Sequence, residues 1–308
     1  MRRICVLFLV SLVQCVYSDS AINSAITYEL NGGRFGDNLR SYAIAKWLSL
    51  QYNLPLLYLP FPYSDELMIA ELEQSYSIEA DGGFKDIVYL PSSRELKLKN
   101  NNNALYVSHW RARVKLDWNS QVFVEQLRRT IAPRYHIDKV AIPAGYLSVA
   151  VHVRNGGGFV VDTEQEKERC PLRFVPEEFF IDQVARIADM FPDQSIYVHI
   201  FTDHPQPAEL AQKFHKTLHN DRVIFGYREV GNSHKSYVLE DFFSMMDFDC
   251  LVRPGSHFSR FVERLGTNKI VIYPYSVKKN SQGTSVIDVV AVKTRSVKGW
   301  KTTKYVIA

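Results

Sequence analysis

His152 and Arg154 stand two residues apart at the end of an apolar run, Ser148-Val149-Ala150-Val151-His152-Val153-Arg154, and Asn155-Gly156-Gly157-Gly158 follows. A guanidinium forks onto phosphate or carboxylate oxygens, and glycines let backbone approach a ligand where side chains would interfere. A second such stretch, Asn31-Gly32-Gly33-Arg34-Phe35-Gly36-Asp37-Asn38, precedes apolar residues at helical spacing, so a helix N-terminus there could face an anion or simply close a tight βα turn. It has neither the Gly-x-Gly-x-x-Gly spacing of a dinucleotide site nor the Lys-Ser/Thr of a P-loop. A third loop, Pro254-Gly255-Ser256-His257, again follows a short apolar segment.

Other reactive-looking residues carry blander readings. Asp247-Phe248-Asp249 spells an Asp-x-Asp that could hold a divalent ion through oxygen, but it lies between an amphipathic helix and an apolar strand, so a structural role and no metal are expected. His199 and His204 bracket Asp203 as ordinary strand-end residues, and Arg253 is either a second cation for a diphosphate or a surface side chain. Ser256 lies outside a Gly-x-Ser-x-Gly elbow, and no carboxylate pair presents itself, which argues against a nucleophilic hydrolase and a glycosidase.

The elements that must position these residues alternate. Strands are expected near residues 25–30, 56–59, 87–90, 104–107, 148–154, 195–201, 223–225, 250–252 and 269–273. Helices are expected from residue 39 onward and over residues 121–131, 176–190, 206–219, 237–246 and 258–265, with a charged insert at 162–169. Such βαβα order gives an α/β protein with open, mostly parallel sheets, and every glycine-bearing loop falls at a strand's carboxyl end, where such sheets bind ligands. The rhythm pauses at Pro143 and Gly145. The expected division is a leader at 1–18, an N-terminal acceptor-side α/β domain at 19–144, a C-terminal α/β domain at 145–276 that binds a nucleotide sugar, and a basic tail at 277–308.

With 308 residues, 46% hydrophobic and 13% aromatic, the chain has ample material for two cores, which excludes disorder as its main state. Its formal charge of +4 is uneven, because residues 277–308 hold seven basic side chains against Asp288. No aromatic-interleaved basic stripe runs through the rest, so no nucleic-acid partner is expected. Arg2 and Arg3 precede an apolar run over residues 4–16, the pattern of a cleaved signal peptide and of export or the secretory pathway. The run is shorter than the roughly 20 residues of a spanning helix, so a permanent anchor is the alternative, and membrane contact is expected only through this leader or the basic tail. Cys5 and Cys15 fall in the leader, leaving Cys170 and Cys250 for at most one disulfide.

Four segments in order resemble the GDP-fucose-dependent fucosyltransferases of GT-B fold. His152-Val153-Arg154 is similar to that family's His-x-Arg, and Phe201-Thr202-Asp203-His204-Pro205 to its strand-end Ser/Thr-Asp-Asp-Pro segment. Residues 245–259, ending Ser256-His257-Phe258-Ser259, resemble its helix, strand and Ser-x-Phe-Ser phosphate turn, and Gly33-Arg34-Phe35-Gly36-Asp37-Asn38-Leu39 resembles the Gly-x-x-Gly-Asn-Gln-Leu opening of the α-1,2 branch. The chain departs from the family after Arg154, where Asn155 and glycines replace the usual acid.

The resemblance implies two facing Rossmann-like domains and metal-independent, inverting transfer of fucose from GDP-fucose, a donor substrate and not a cofactor, to a glycan or protein hydroxyl. By position, Arg154 would stabilise the leaving diphosphate and His152 would line the nucleotide pocket. Ser256, His257, Phe258 and Ser259 would cradle the β-phosphate, and Asp241, with Glu240 as fallback, would read the guanine edge. Gly33, Gly36 and Asn38 would complete the donor-binding site from the N-terminal domain, where the acceptor enters, with Asp37 as general base. The alternatives are a non-catalytic glycan- or nucleotide-binding protein on the same fold and an exported effector docking through its basic tail.

Overall fold

The computed structural model describes residues 24–76, 83–92, 103–156, 164–229, 232, 237–296 and 299–307. The leader and Gly157-Gly158 lie outside them. In chain order the elements are β1 (Ser24–Tyr28), α1 (Phe35–Tyr52), β2 (Leu57–Tyr58), α2 (Ile69–Leu72), β3 (Gln74–Ser75), β4 (Asp86–Tyr89), β5 (Ala104–Ser108) and α3 (Gln121–Thr130). Then follow β6 (Leu147–Val153), α4 (Glu164–Arg169), α5 (Glu177–Met190), β7 (Ile196–Thr202), α6 (Pro207–Leu218), β8 (Val223–Tyr227), α7 (Val238–Met245), β9 (Cys250–Val252), α8 (His257–Leu265), β10 (Ile270–Lys279), β11 (Ser285–Ser296) and β12 (Gly299–Val306). Local chemistry sets several boundaries. Ser120 caps α3 by accepting the Phe123 amide, Pro207 opens α6 where no amide partner is needed, and Asn53 and His219 close α1 and α6 in left-handed conformation.

Among the described residues, the strands form a parallel three-stranded sheet ordered β1-β5-β4, a two-stranded β2-β3 ribbon, and a seven-stranded sheet ordered β12-β11-β10-β9-β6-β7-β8. The larger sheet is parallel from β10 to β8 and antiparallel from β10 to β12. Its central strands β6 and β7 are buried over nearly their whole length, as continuous apolar runs covered by helices on both faces should be. Chain reversals occur around Gly145, whose φ of 82° suits glycine, just before the larger sheet begins. One core cluster nevertheless joins both halves: Phe35, Leu39 and Tyr42 of α1 share it with Phe242 of α7 and Phe261 of α8.

The expected tail is a correction. Residues 277–308 are no appendage, because β10 runs on to Lys279 and β11 and β12 add two antiparallel strands. Val290, Ala291 and Val292 are buried, the two valines in the core beneath β6 and β7, while the lysines of β12 sit on an outer edge strand, where exposed charge discourages further pairing. The charged insert likewise contains α4. Cys170 and Cys250 are both free thiols, so the one disulfide the sequence allowed is not formed. Among the described residues, no helix is long and apolar enough to cross a membrane.

Candidate active site

The carboxyl ends of β1, β6, β7 and β9 empty into one cleft of about 430 Å³, within the range of small-molecule sites. Gly33, Arg34, Phe35, Gly36 and Asp37 form one wall; His152, Arg154, Thr202, Asp203 and the Gly255 to Phe258 turn form the other. All four segments singled out in the sequence therefore meet. The helices they lead into also meet: α1 starts at Phe35 and α8 at His257, and their first turns touch within the cleft lining. Each first turn presents backbone amides with no intrahelical acceptor, and the two macrodipoles place positive potential in the same space. Gly36 makes this approach possible, because a Cβ there would run into the backbone nitrogen of Phe258.

Cations concentrate in the cleft. Arg34 Nη1 lies 3.0 Å from Asp203 Oδ2, and its Nη2 donates to the Gly156 carbonyl at 3.3 Å, so the first loop is tied to the second half. Arg154 Nε donates to the same carbonyl at 3.1 Å. Arg154 and Arg173 lie near the ring of Phe174, at 5.6 and 5.8 Å from its centroid. Burial, then the charges of Arg34 and Arg173, bring the Arg154 guanidinium down to about 9, so it stays protonated at neutral pH but carries its charge at a cost. A bound polyanion would relieve that cost.

Asp203 compensates in part. Its Oδ1 accepts the amides of Asn155 at 2.7 Å and Gly156 at 3.0 Å. Burial alone would raise its carboxyl; those amides and Arg34 outweigh burial and hold it below the usual carboxylate range. An acid thus does reach the loop after Arg154, arriving from the end of β7. Gly156 is required there, since a Cβ would lie 2.6 Å from Asp203 Oδ2.

Asp37 and His257, both lining the cleft, pair Oδ1 to Nδ1 at 2.7 Å. Burial pushes the Asp37 carboxyl up, but the His257 hydrogen bond and the charges of His257, Arg173 and Arg154 pull it below its ordinary value. Asp241 also lines the cleft, with Oδ1 2.6 Å from Arg228 Nη2. Burial raises its carboxyl, and Arg228 offsets this only partly. Glu240, the fallback, ion-pairs with Arg228 at 2.9 Å. His152 borders the cleft with its Nδ1 buried, and burial drives the imidazole far below its ordinary range, leaving it neutral at pH 7.

Three expected residues are placed differently. Asn38 is buried behind the wall, where its Nδ2 holds the Gly33 carbonyl at 3.1 Å, so it shapes the loop without facing the cleft. Ser259 is fully buried within the first turn of α8 and does not line the cavity. Arg253 is neither a diphosphate ligand nor a surface residue: it is 4% exposed, donates to Glu263 through Nε at 2.8 Å and also through Nη2, and stacks on Tyr273 at 4.4 Å. The Asp-x-Asp carboxylates are engaged structurally, Asp247 with Lys139 and Asp249 with Ser148 and Lys269. His199 packs among Phe201, Phe248 and Tyr197, whose hydroxyl lies 2.8 Å from His199 Nδ1, and His204 Nδ1 accepts the Gln206 amide.

Sequence reasoning missed Arg173, which belongs to no glycine loop or strand end, and the aromatic wall. Tyr63 lines the cleft with a φ of 70°, rare for a bulky side chain, and packs edge-on against Phe35 at 6.2 Å and Tyr237 at 5.7 Å. Its one local signal was the preceding Pro60-Phe61-Pro62 run.

No family model and no curated protein matches the chain. Among solved structures, a mutant of Arabidopsis thaliana FUT1 in complex with GDP superposes with a TM-score of 0.53 at 12% identity, covering 87% of this chain and 74% of that one. The fucosyltransferase NodZ from Bradyrhizobium gives a TM-score of 0.48 at 15% identity over 82% and 95% of the two chains, and the E. coli heptosyltransferase WaaC with ADP gives 0.36 at 13% over 79% and 84%. The chain has the GT-B-like α/β architecture that the motif resemblance implied.

Proposed function

We propose that the protein is a glycosyltransferase that moves fucose from GDP-fucose to a hydroxyl of a glycan or protein acceptor, with inversion and without a metal ion. One observation carries the reading. The four segments that resemble the fucosyltransferases, up to 220 residues apart in the Asp37 to His257 contact, converge on a single cleft whose excess charge is arginine and whose two walls begin helices. The likeness in fold to a protein solved with GDP supports it.

The chemistry fits the residues. As the sugar C1–oxygen bond breaks, charge grows on the diphosphate, and groups already aimed at that place stabilise the transition state more than the ground state. Arg154 and Arg173, with the first-turn amides of α8, meet that charge, doing for the leaving group what a divalent ion does in other transferases. Asp241 receives the guanine edge, whose adjacent N–H donors suit a carboxylate. The aromatic wall of Phe35 and Tyr63 covers apolar faces of sugar or base.

The test is to incubate the full chain with GDP-fucose and a panel of glycan and peptide acceptors, with and without EDTA, and to follow fucose transfer and GDP release. The proposal requires transfer that EDTA leaves intact and that Arg154→Ala abolishes. A protein that binds GDP or glycans yet consumes no GDP-fucose with any acceptor or water belongs to the non-catalytic alternative.

A further inference from the structure

We propose that His257 is the base that takes the acceptor's proton, and that Asp37 is the positioning residue that holds it ready; the assignment rests on the glycosyl-transfer reading. The two residues come from opposite halves of the chain and from the first turns of different helices, yet Asp37 Oδ1 and His257 Nδ1 are 2.7 Å apart on the cleft wall. Their side chains are 28% and 38% exposed, so the pair borders the cavity and is not sealed into the core.

The geometry divides the roles. Asp37 itself is a weak base, because its carboxyl is held below the ordinary carboxylate range and a general base works best when its affinity for protons matches the working pH. An anionic carboxylate on Nδ1 selects the tautomer with its proton on Nδ1, which leaves the lone pair on Nε2, the far side of the ring. A carboxylate, an imidazole and a hydroxyl in that order form the arrangement by which an alcohol is deprotonated in many unrelated enzymes. The two helix starts are held close together, since a Cβ on Gly36 would lie 2.4 Å from the Phe258 backbone nitrogen.

The step balances. The acceptor oxygen bonds to C1 of the sugar as its proton passes to His257 Nε2; the C1–oxygen bond to the β-phosphate breaks, and its electron pair leaves on GDP, beside Arg154. The imidazolium, stabilised by Asp37, then returns its proton to solvent. The charged groups around this pair are Arg40 from α1, Arg154 and Arg173, and the Arg34–Asp203 pair lining the same cleft.

The experiment uses the full chain with GDP-fucose, and water or methyl β-galactoside as generic acceptors, and compares His257→Ala, His257→Gln, Asp37→Asn and Asp37→Glu for GDP affinity and kcat. Both His257 variants should lose kcat by roughly a hundredfold or more while GDP affinity changes by less than tenfold. Added imidazole should restore part of the rate to His257→Ala. Asp37→Asn should lose about tenfold, with Asp37→Glu recovering part of it and kcat, not KM, carrying the change. His257→Gln can keep the hydrogen bond to Asp37 but cannot act as a base. If it turns over at the wild-type rate, the pair is only a structural link and the assignment is wrong. A wild-type protein that consumes no GDP-fucose overturns the glycosyl-transfer reading and the assignment together, whereas active His257 variants overturn the assignment alone.

Discussion

Arg154 and Arg253 follow equivalent buried strands, β6 and β9, one residue past the end of each, and their fates are opposite. Arg253 turns back into the protein, where Glu263, 1% exposed, takes its guanidinium and also the Lys293 ammonium, and both cations cover the Tyr273 ring. Arg154 faces the cleft among Arg34 and Arg173, and its charge costs the folded state free energy. The same residue type thus builds structure at one strand end and faces the cleft at the other. What decides is where the acid sits: each group holds one more cation than acid, but Glu263 bonds directly to Arg253 and Lys293, whereas Asp203 bonds to Arg34 and Asp37 to His257.

Breaking the buried Glu263 cluster should have the largest effect. Glu263→Gln would strand the buried Arg253 and the partly buried Lys293, and urea denaturation should show a loss of about 3–5 kcal/mol. Burial tends to raise this carboxyl, but Arg253 and Lys293 overcome it and bring it to about 2. A depressed folded value means that the stability it carries is present above the unfolded value near 4.5 and is lost as pH falls through about 2. Glu263→Gln should remove that acid-dependent part of the unfolding curve.

At the other arginine the sign reverses. Arg154→Met should cut GDP-fucose turnover by roughly a hundred- to a thousandfold while the thermal midpoint stays put or rises, because a charge held at a cost is removed. A large fall in midpoint would make Arg154 a structural residue like Arg253 and erase the contrast.

Two smaller tests sharpen it. His199, buried beside Arg228, has its imidazole lowered by burial to about 4, so its contribution to stability is complete above about 6.5 and falls away as pH drops toward 4. Lowering pH from 7.5 to 5.5 should cost about 1 kcal/mol through this residue, and His199→Gln should flatten that part of the stability profile. Asp241→Asn should reduce the preference for GDP over ADP by about tenfold, read by isothermal titration, since an amide presents one acceptor where the carboxylate presents two.

The legible features of the sequence were those that backbone chemistry imposes locally. Glycines beside polar residues at strand ends located Gly36, Gly156 and Gly255, and each proves to sit where a Cβ would collide with Phe258, Asp203 or Leu172. The parallel order was equally plain, because strands buried on both faces must be continuously apolar. What failed was anything set by a distant partner. Nothing near Arg253 announces Glu263 one loop and two helical turns on, and nothing near Asp37 announces His257. Counting charge over residues 277–308 concealed strands, since lysines on an edge and valines on a core face average to a basic tail.

The proposed function requires the cleft to hold a nucleoside diphosphate through arginines and helix amides. Thermal denaturation of the full chain with GDP, GDP-fucose, UDP and ADP, each with and without EDTA, decides the matter. Ligand at a hundredfold its Kd adds about 2.7 kcal/mol of stability. GDP and GDP-fucose should raise the midpoint well above the other two, and EDTA should change nothing. No shift with any nucleotide, or a GDP shift that EDTA removes, would contradict the account.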